Sequence, residues 1–294
     1  MSTTTATYTC RYCRMGSDGS GTSCPFCGAP VNIKDRVTDS GWEEQPPIKD
    51  MAKIQMGQSS CQVSGKYVPV ADMGLAGEDS VYFSHHVLLW AEPSVQMTTM
   101  PMKGAWNRSF AGMPLVMMQA KGPGHIAFSH DDPGETLAVP LQHGQAIDVH
   151  EHRFLVATGN VTYDWFQSGI WYTTQNGDDT EYHFPLGQFL DRYVAQGGPG
   201  LLLLHSPGNV FVRDLQEGQA ICIQPSSLVY KDPSVGMQLH IEYPAGGLFG
   251  SYNNRTVWLR MWGPGRVAIQ SVFEPPESPN NITNHSRATT QRWG

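Results

Sequence analysis

The chain repeats part of its own sequence. Residues 141–147 (LQHGQAI) recur as residues 215–221 (LQEGQAI), 74 residues later, and residues 75–82 form a weaker copy. An apolar block follows each copy at a similar distance, at residues 87–89, 154–156 and 228–230. Repeats of this length are typical of supersecondary units that stack and bury a shared core.

The repeated units have the sequence pattern of β-structure. Gly-Pro-Gly stands at residues 122–124, 198–200 and 263–265, and runs rich in apolar residues flank these triplets. Pro-Gly favours a tight turn, and short strands with regular turn signals indicate a sandwich or barrel. None of the triplets completes G-x-G-x-x-G, because Ala127, Leu203 and Ala268 occupy the last glycine position. We therefore interpret them as corners of a mainly β fold and not as phosphate-binding loops.

One segment departs from the β pattern. Apolar residues follow the i, i+3, i+4, i+7, i+8 spacing of a helix, and a proline precedes them where a helix could begin. These residues are Leu186, Phe189, Leu190, Tyr193 and Val194, after Pro185. The spacing predicts one short helix, although the repeat predicts a strand at the same place.

Composition excludes several classes of protein. Apolar residues make up 40% of the 294 residues, which is enough for a sizeable core and argues against wholesale disorder. The net charge of −7 argues against general nucleic-acid binding. No apolar run is long enough for a transmembrane helix, and the first nine residues lack the apolar region of a signal peptide. We expect a cytoplasmic protein, with membrane association limited to peripheral contact.

Four of the six cysteines form two C-x2-C pairs, Cys10–Cys13 and Cys24–Cys27, separated by ten residues. Each pair has the length of a tight turn that directs two thiolates at one ion, and two such turns complete a tetrahedral site for zinc. We predict a structural zinc ribbon over residues 1–30 that holds one zinc ion and contacts a protein partner. Two disulfides, or iron in place of zinc, are the alternatives. The remaining Cys61 and Cys222 lie in strand-like contexts, where small buried side chains are expected.

Polar segments bound the predicted β domain. Residues 31–51, which include Pro46-Pro47, are expected to form a linker, and residues 274–294 a flexible tail. The β domain, residues 52–273, contains few lysines with which to protect its edge strands. We therefore expect a homo-oligomer.

The order of these motifs resembles a known family. The motifs are residues 106–112 (WNRSFAG), the Gly-Pro-Gly corners, and Trp258-Leu259 before residues 263–270 (GPGRVAIQ). Over residues 52–273 they resemble the altered-inheritance-of-mitochondria protein 24 family. Residues 113–114 (Met-Pro) depart from the Gly-Glu-Gly stretch usual in that family.

The resemblance implies a fold similar to that of the tryptophan RNA-binding attenuator protein, a double-stranded β-helix, here duplicated within one chain. It transfers no catalytic residue. The mitochondrial members are linked to inner-membrane organisation, which implies a non-enzymatic scaffold. RNA binding does not transfer, because Lys and Arg total only 19 and no basic-aromatic cluster occurs.

A cupin-like metal-dependent enzyme is the alternative function. Gly144, His150 and His152 match the opening of a cupin metal motif, and alternate residues of a strand would place both imidazoles on one face. A cupin also needs a glutamate four or five residues later, where Val156 and Ala157 stand. No G-x-S-x-G motif occurs, and the Asp131-Asp132-Pro133-Gly134 segment is typical of a turn. The sequence therefore favours a scaffold over an enzyme.

Overall fold

Strands provide nearly all the regular structure in the computed structural model. The structure describes residues 8–10, 14–18, 24–26, 31, 40–45, 52–100, 117–242, 256–274 and 282–286. Among these residues there is no α-helix, and the only helical turns are the short 3-10 turns His85–Val87 and Pro225–Ser227. The prediction of a mainly β chain is confirmed. The family motif at residues 106–112 lies outside the described residues.

The strands follow one another closely along the chain. In order they are β1 (Tyr8–Thr9), β2 (Gly16–Ser17), β3 (Glu43–Gln45), β4 (Ala52–Met56), β5 (Ser59–Ser64), β6 (Val70–Leu75), β7 (Ser80–Ser84), β8 (Leu88–Ala91), β9 (Gln96–Thr99), β10 (Met117–Lys121), β11 (Gly124–Ser129), β12 (Glu135–Leu141), β13 (Ala146–His150), β14 (Phe154–Thr158), β15 (Val161–Gln167), β16 (Tyr172–Asn176), β17 (Asp179–His183), β18 (Phe189–Ala195), β19 (Gly200–Ser206), β20 (Val210–Leu215), β21 (Ala220–Ile223), β22 (Leu228–Lys231), β23 (Gly236–Glu242), β24 (Thr256–Trp262), β25 (Gly265–Gln270) and β26 (Ile282–His285).

The strand order repeats three times. Each repeat has six strands: β6 to β11, then β12 to β15 with β18 and β19, then β20 to β25. In every repeat the first, sixth and third strands are neighbours, in the orders β6-β11-β8, β12-β19-β14 and β20-β25-β22. The second, fifth and fourth strands are also neighbours, in the orders β7-β10-β9, β13-β18-β15 and β21-β24-β23. The three sequence copies thus belong to three copies of one supersecondary unit.

The Gly-Pro-Gly triplets are corners, as predicted. They join β10 to β11, β18 to β19 and β24 to β25. The first and third corners each form an equivalent hydrogen bond from a backbone N–H to a carboxylate. The His125 N–H donates to Glu92 Oε2 at 2.8 Å, and the Arg266 N–H donates to Asp232 Oδ2 at 2.7 Å. The shared contact shows that the repeat extends to the local structure of the corners.

The chain divides into two compact units. The first comprises Met1–Ala146, Arg153–Asp164 and Tyr193–Val210. It contains a six-stranded sheet, β12-β19-β14-β7-β10-β9, and a five-stranded sheet, β4-β5-β6-β11-β8. Its core is apolar and includes Phe83 and Phe128, both fully buried, with ring centroids 4.7 Å apart. Burial of this apolar surface is the main source of stability in the unit.

The second unit comprises Ile147–His152, Trp165–Arg192 and Phe211–Gly294. In it β13, β22, β25 and β20 are successive neighbours, and the three-stranded sheets β17-β16-β26 and β21-β24-β23 complete the unit. β13 and β22 pair antiparallel, with Asp148 opposite Lys231 and Val149 opposite Tyr230.

The predicted helix is wrong. Residues Phe189–Ala195 form β18, and the first three residues of this strand are all buried. Leu186, Phe189, Leu190 and Tyr193, which suggested a helical stripe, are at most 3% exposed. A short strand buried on both faces produces an apolar spacing that cannot be distinguished from a helical one. The repeat, which predicted a strand, was the better guide.

The predicted linker and tail both contain strands. β3 lies within residues 31–51, and its Glu43 and Gln45 are buried. β26 lies within residues 274–294 and pairs with β16, with Ile282 opposite Thr174 and Asn284 opposite Thr173. These segments are polar in sequence, and pairing with another strand satisfies their backbone groups. No helix among the described residues is long and apolar enough to cross a membrane.

Candidate functional site

Cys10, the first cysteine of the first C-x2-C pair, lies between the two strands of a hairpin in the first unit. β1 and β2 pair antiparallel, with Tyr8 opposite Ser17, and the chain reverses between them. The Arg14 N–H donates to the Cys10 carbonyl at 2.8 Å, and the Cys10 N–H donates to the Met15 carbonyl at 3.0 Å. Arg14 has φ +60°, a conformation that is uncommon outside tight turns. Cys10 is completely buried within this reversal.

The second pair begins in the same way. Cys24 is 1% exposed, and a turn at Pro25 and Phe26 follows it. Cys10 and Cys24 belong to one buried cluster of the first unit, which also contains Ile54 and Leu75. Neither cysteine takes part in a disulfide. Cys13 and Cys27 lie outside the described residues.

This donor set fits zinc. Buried cysteine thiols at chain reversals can approach one ion from two turns, and thiolate sulfur is the ligand that structural zinc prefers. A site with four protein ligands leaves no open position for substrate or water. A zinc ion held by all four cysteines would therefore stabilise the N-terminal segment and would offer no metal-bound nucleophile.

An open cavity of about 440 Å³ lies beside the hairpin in the first unit. Its lining includes Arg14 from the hairpin, the apolar side chains of Ile54 and Leu201, and the polar side chains of Asp79 and Asn160. The Arg14 guanidinium Nη2 donates to the Gly200 carbonyl at 3.5 Å, a long hydrogen bond. Arg14 thus brings the cysteine hairpin to the second Gly-Pro-Gly corner.

The polar groups of the cavity are bonded within the chain. Asp79 Oδ2 accepts a hydrogen bond from the Ser59 hydroxyl at 2.6 Å. The Thr158 hydroxyl donates to Asn160 Oδ1 at 2.7 Å, and Asn160 Nδ2 donates to the Pro199 carbonyl at 3.0 Å. These hydrogen bonds hold the side chains of Thr158 and Asn160 against the corner that contains Pro199 and Gly200.

Three histidines that are distant in sequence meet elsewhere in the first unit. The rings of His130 and His205 are parallel, with centroids 4.1 Å apart, and the His86 ring centroid lies 6.4 Å from that of His130. Ligand atoms of His130, Asp131 and Asp132 lie within 4.8 Å of one another, and both aspartates are exposed. The sequence indicated only a turn at residues 131–134, because nothing in it places His205 against His130.

His205 is the most buried member of this histidine cluster. It is 2% exposed, and its Nε2 atom has no hydrogen-bond partner. The pKa of His205 is lowered to about 4, chiefly by burial and also by the neighbouring His130 and Arg153, against the opposing effect of Asp131. The imidazole is therefore neutral in the folded chain at neutral pH.

Stability should fall on acidification because of His205. In the unfolded chain a histidine titrates near pH 6.5, so the unfolded state binds the extra proton between about pH 6.5 and pH 4. The stability that the neutral His205 contributes is fully present above that range and is lost as the pH falls through it. Urea unfolding at pH 7.5 and pH 5 should show a smaller difference in stability for His205→Gln than for the wild type. The exposed His143 provides the control, His143→Gln, which should keep the wild-type difference. An unchanged pH dependence in His205→Gln would contradict this assignment.

The structure separates His150 from His152. β13 ends at His150, and His152 lies in the following turn with φ +64°. His150 is half-buried, whereas His152 is exposed. The expectation that both imidazoles share one strand face is therefore wrong. The chain turns after His150, which removes the alternation on which a cupin-like pair depends.

The second unit contains a buried ion cluster that the sequence did not reveal. Asp148 is completely buried and accepts hydrogen bonds from Arg192 Nε at 2.6 Å and Nη2 at 2.9 Å. Lys231 Nζ donates to Asp148 Oδ2 at 2.8 Å, so this oxygen accepts from both Lys231 and Arg192 Nη2. Arg192 also lies over the ring of Phe166, 4.8 Å from its centroid. One carboxylate therefore neutralises part of the charge of two cations away from solvent.

The two remaining cysteines differ in their surroundings. Cys61 is completely buried, and burial raises the pKa of its thiol to about 12. Such a thiol stays protonated and is a poor nucleophile. Cys222 is exposed on β21, so the expectation that it is a buried side chain is wrong.

Comparisons with known proteins identify relatives of the β domain. A family model described as "Mitochondrial biogenesis AIM24" matches residues 61–272. Among solved structures, the chain is similar to the crystal structure of a protein from Streptococcus pyogenes, with 19% identity and a TM-score of 0.52. That match covers 74% of this chain and 94% of the other, and at this identity it shows similarity of fold alone. No curated protein matches the chain.

Proposed function

The chain belongs to the mitochondrial biogenesis AIM24 family, and from this premise we propose that it is a non-enzymatic scaffold protein. Its N-terminal segment binds one structural zinc ion through Cys10, Cys13, Cys24 and Cys27 and presents a surface to a protein partner. The repeated β domain, with a fold similar to the attenuator protein, self-associates. The scaffold contributes to membrane organisation through peripheral contacts.

One observation carries this proposal. The leading cysteines of the two C-x2-C pairs, Cys10 and Cys24, are buried in the same cluster, each at a reversal of the chain. Disulfides, the alternative, receive no support, because neither thiol forms one. A segment with so little apolar core of its own depends on metal binding for its folded state. The hairpin would then have a fixed shape that a partner can recognise.

The cavity and the cysteines support a role without catalysis. The polar side chains around the cavity are bonded to the chain itself, and the Cys61 thiol is buried and protonated. The cupin alternative loses its support because His152 lies in a turn. The family description refers to biogenesis and not to a reaction.

Affinity capture with the full chain tests the partner surface. The wild type and a Cys10→Ser/Cys24→Ser variant serve as baits, since removal of the whole segment would expose the core around Ile54. We expect the variant to lose the captured partners while its circular dichroism retains the β signal. Cys222→Ser, which alters an exposed thiol, should capture the same partners as the wild type. An unchanged set of partners in the double variant would show that the ribbon is not the contact surface.

A further inference from the structure

β8 and β21 are two of the repeat strands that lie at the edge of a sheet among the described strands. β8 pairs with β11 and lies at the edge of the five-stranded sheet of the first unit. β21 pairs with β24 and lies at the edge of a three-stranded sheet of the second unit. Both strands have four residues, and neither contains a charged residue or a proline. Natural edge strands usually carry such residues, which prevent pairing with another chain.

The strands equivalent to β8 are covered in the other two repeats. Leu89 and Trp90 of β8 are 55% and 42% exposed. The equivalent residues are Leu155 and Val156 in the second repeat and Val229 and Tyr230 in the third, and all four are at most 4% exposed. The same strand position is therefore buried twice and exposed once.

The covering strand occupies one repeat position in both covered cases. In the first unit β14 pairs with β7, with Val156 opposite Phe83 and Ala157 opposite Tyr82. In the second unit β22 pairs with β13, with Tyr230 opposite Val149 and Lys231 opposite Asp148. In each case the third strand of one repeat pairs antiparallel with the second strand of the preceding repeat. β8 is the third strand of the first repeat, and no second strand that the structure describes pairs with it. β21 is the second strand of the third repeat, and no third strand pairs with it among the described strands.

We propose that β8 of one copy of the chain pairs antiparallel with β21 of a second copy. The register follows from the repeat: Trp90 lies opposite Ile223, and Ala91 lies opposite Cys222. Both internal pairings lead independently to this register. The contact would cover the apolar side chains of Leu89 and Trp90 together with the exposed backbone groups of both edges.

A second copy is the partner that these edges fit. Among the described strands, β8 and β21 each keep one unpaired edge, and their repeat equivalents already pair with each other within the chain. The contact joins two different surfaces, so the copies associate in head-to-tail order. This inference rests on the self-association included in the proposed function and specifies its surface.

A disulfide tests the register directly. Ala91→Cys in the full chain places a thiol opposite the native Cys222, within the range of Cα separations that a disulfide bridges. Under mild oxidation we expect a reducible species of at least twice the 32.4 kDa chain mass. The species should be absent from the wild type and from Ala91→Cys/Cys222→Ser. Leu89→Cys is the matched control, because its thiol lies two residues, about 7 Å, along the same face of the strand, and it should give several-fold less product.

Light scattering of the reduced protein provides the second measurement. At micromolar concentration the wild type should have a mass that is a multiple of 32.4 kDa, and Trp90→Lys should reduce it to the mass of one chain. Trp90 is on an exposed edge, so the variant should keep the circular dichroism of the wild type. A wild-type mass of one chain, no disulfide with Ala91→Cys, or a disulfide within a single chain would each overturn the proposal. Zinc content and partner capture depend on the N-terminal cysteines, so their outcome is separate from this one.

Discussion

Asp148→Asn is expected to lower the free energy of unfolding by about 3–5 kcal/mol, the usual cost of removing one partner from a buried ion pair. The side chain of Asp148 is fully buried, and those of Arg192 and Lys231 are 14% and 5% exposed. Asparagine keeps the shape of the side chain but removes the negative charge that Arg192 and Lys231 share. The cost arises because these cations would remain buried after losing the carboxylate that pairs with both of them. Urea unfolding, monitored by tryptophan fluorescence, measures this loss of stability.

A second ion pair in the same unit provides a matched control. Arg266 Nε and Nη2 donate to the two carboxylate oxygens of Asp214 at 2.7 and 2.9 Å, nearly the geometry of Arg192 and Asp148. Asp214 is 59% exposed, and solvent screens such pairs, so Asp214→Asn should cost less than about 1 kcal/mol. Equal losses for Asp148→Asn and Asp214→Asn would show that burial of the Asp148 cluster contributes nothing.

The free energy of unfolding of the Asp148→Asn variant should depend on pH, and Lys231 should be the group that causes this dependence. Burial lowers the pKa of Lys231, and the charge and hydrogen bond of Asp148 oppose that shift. Without Asp148 the folded-state pKa falls further below the value in the unfolded chain. The folded state then binds fewer protons than the unfolded state, so the stability of the variant should increase with pH. Asp148→Asn/Lys231→Met should lose most of this dependence.

The sequence predicted the β architecture because its main determinants are local. Turn residues at the Gly-Pro-Gly corners and the recurring LQ-x-GQAI segment depend on neighbours in the chain, and the structure has strands on both sides of each. The helix predicted from Leu186 to Val194 was wrong because a strand buried on both faces has no clear alternation. Alignment of the three repeats would have matched residues 189–195 with the equivalent strands β10 and β24, and so predicted the strand β18. The repeat contained more information than the spacing within one segment.

The interactions that the sequence did not predict depend on strand register. Asp148 meets Lys231 because β13 pairs with β22, 83 residues later in the chain. His130 stacks on His205 through another pairing of distant segments. Cys222 was expected to be buried because its sequence context is strand-like, but it is exposed on the edge strand β21. Its repeat equivalent Tyr82 is 2% exposed, because β7 is not an edge strand. Register and edge position are properties of the assembled sheet, so no local pattern specifies them.

The purified full chain is expected to contain one zinc ion per chain, and Cys10→Ser/Cys24→Ser none. The two variant positions remove one ligand from each C-x2-C pair, and an incomplete shell of two thiolates binds zinc far more weakly. Elemental analysis measures the stoichiometry. Iron, the alternative metal, would also give visible absorbance, which zinc lacks because its d shell is filled. Zinc retained by the double variant, or a wild type without zinc, would contradict the ribbon.

Loss of the ion should also release the N-terminal segment. Structural zinc supplies folding free energy to small segments, and protons compete with it for thiolates, so zinc should dissociate as the pH falls. Without zinc, amide hydrogen exchange should increase at Cys10 and Arg14, whose N–H groups donate hydrogen bonds within the reversal. Exchange in the buried strand β19 should stay slow, because its backbone pairs with β12 and β14. A second metal that is lost on His150→Ala/His152→Ala would favour a metalloenzyme instead, because the ribbon cysteines hold only one ion.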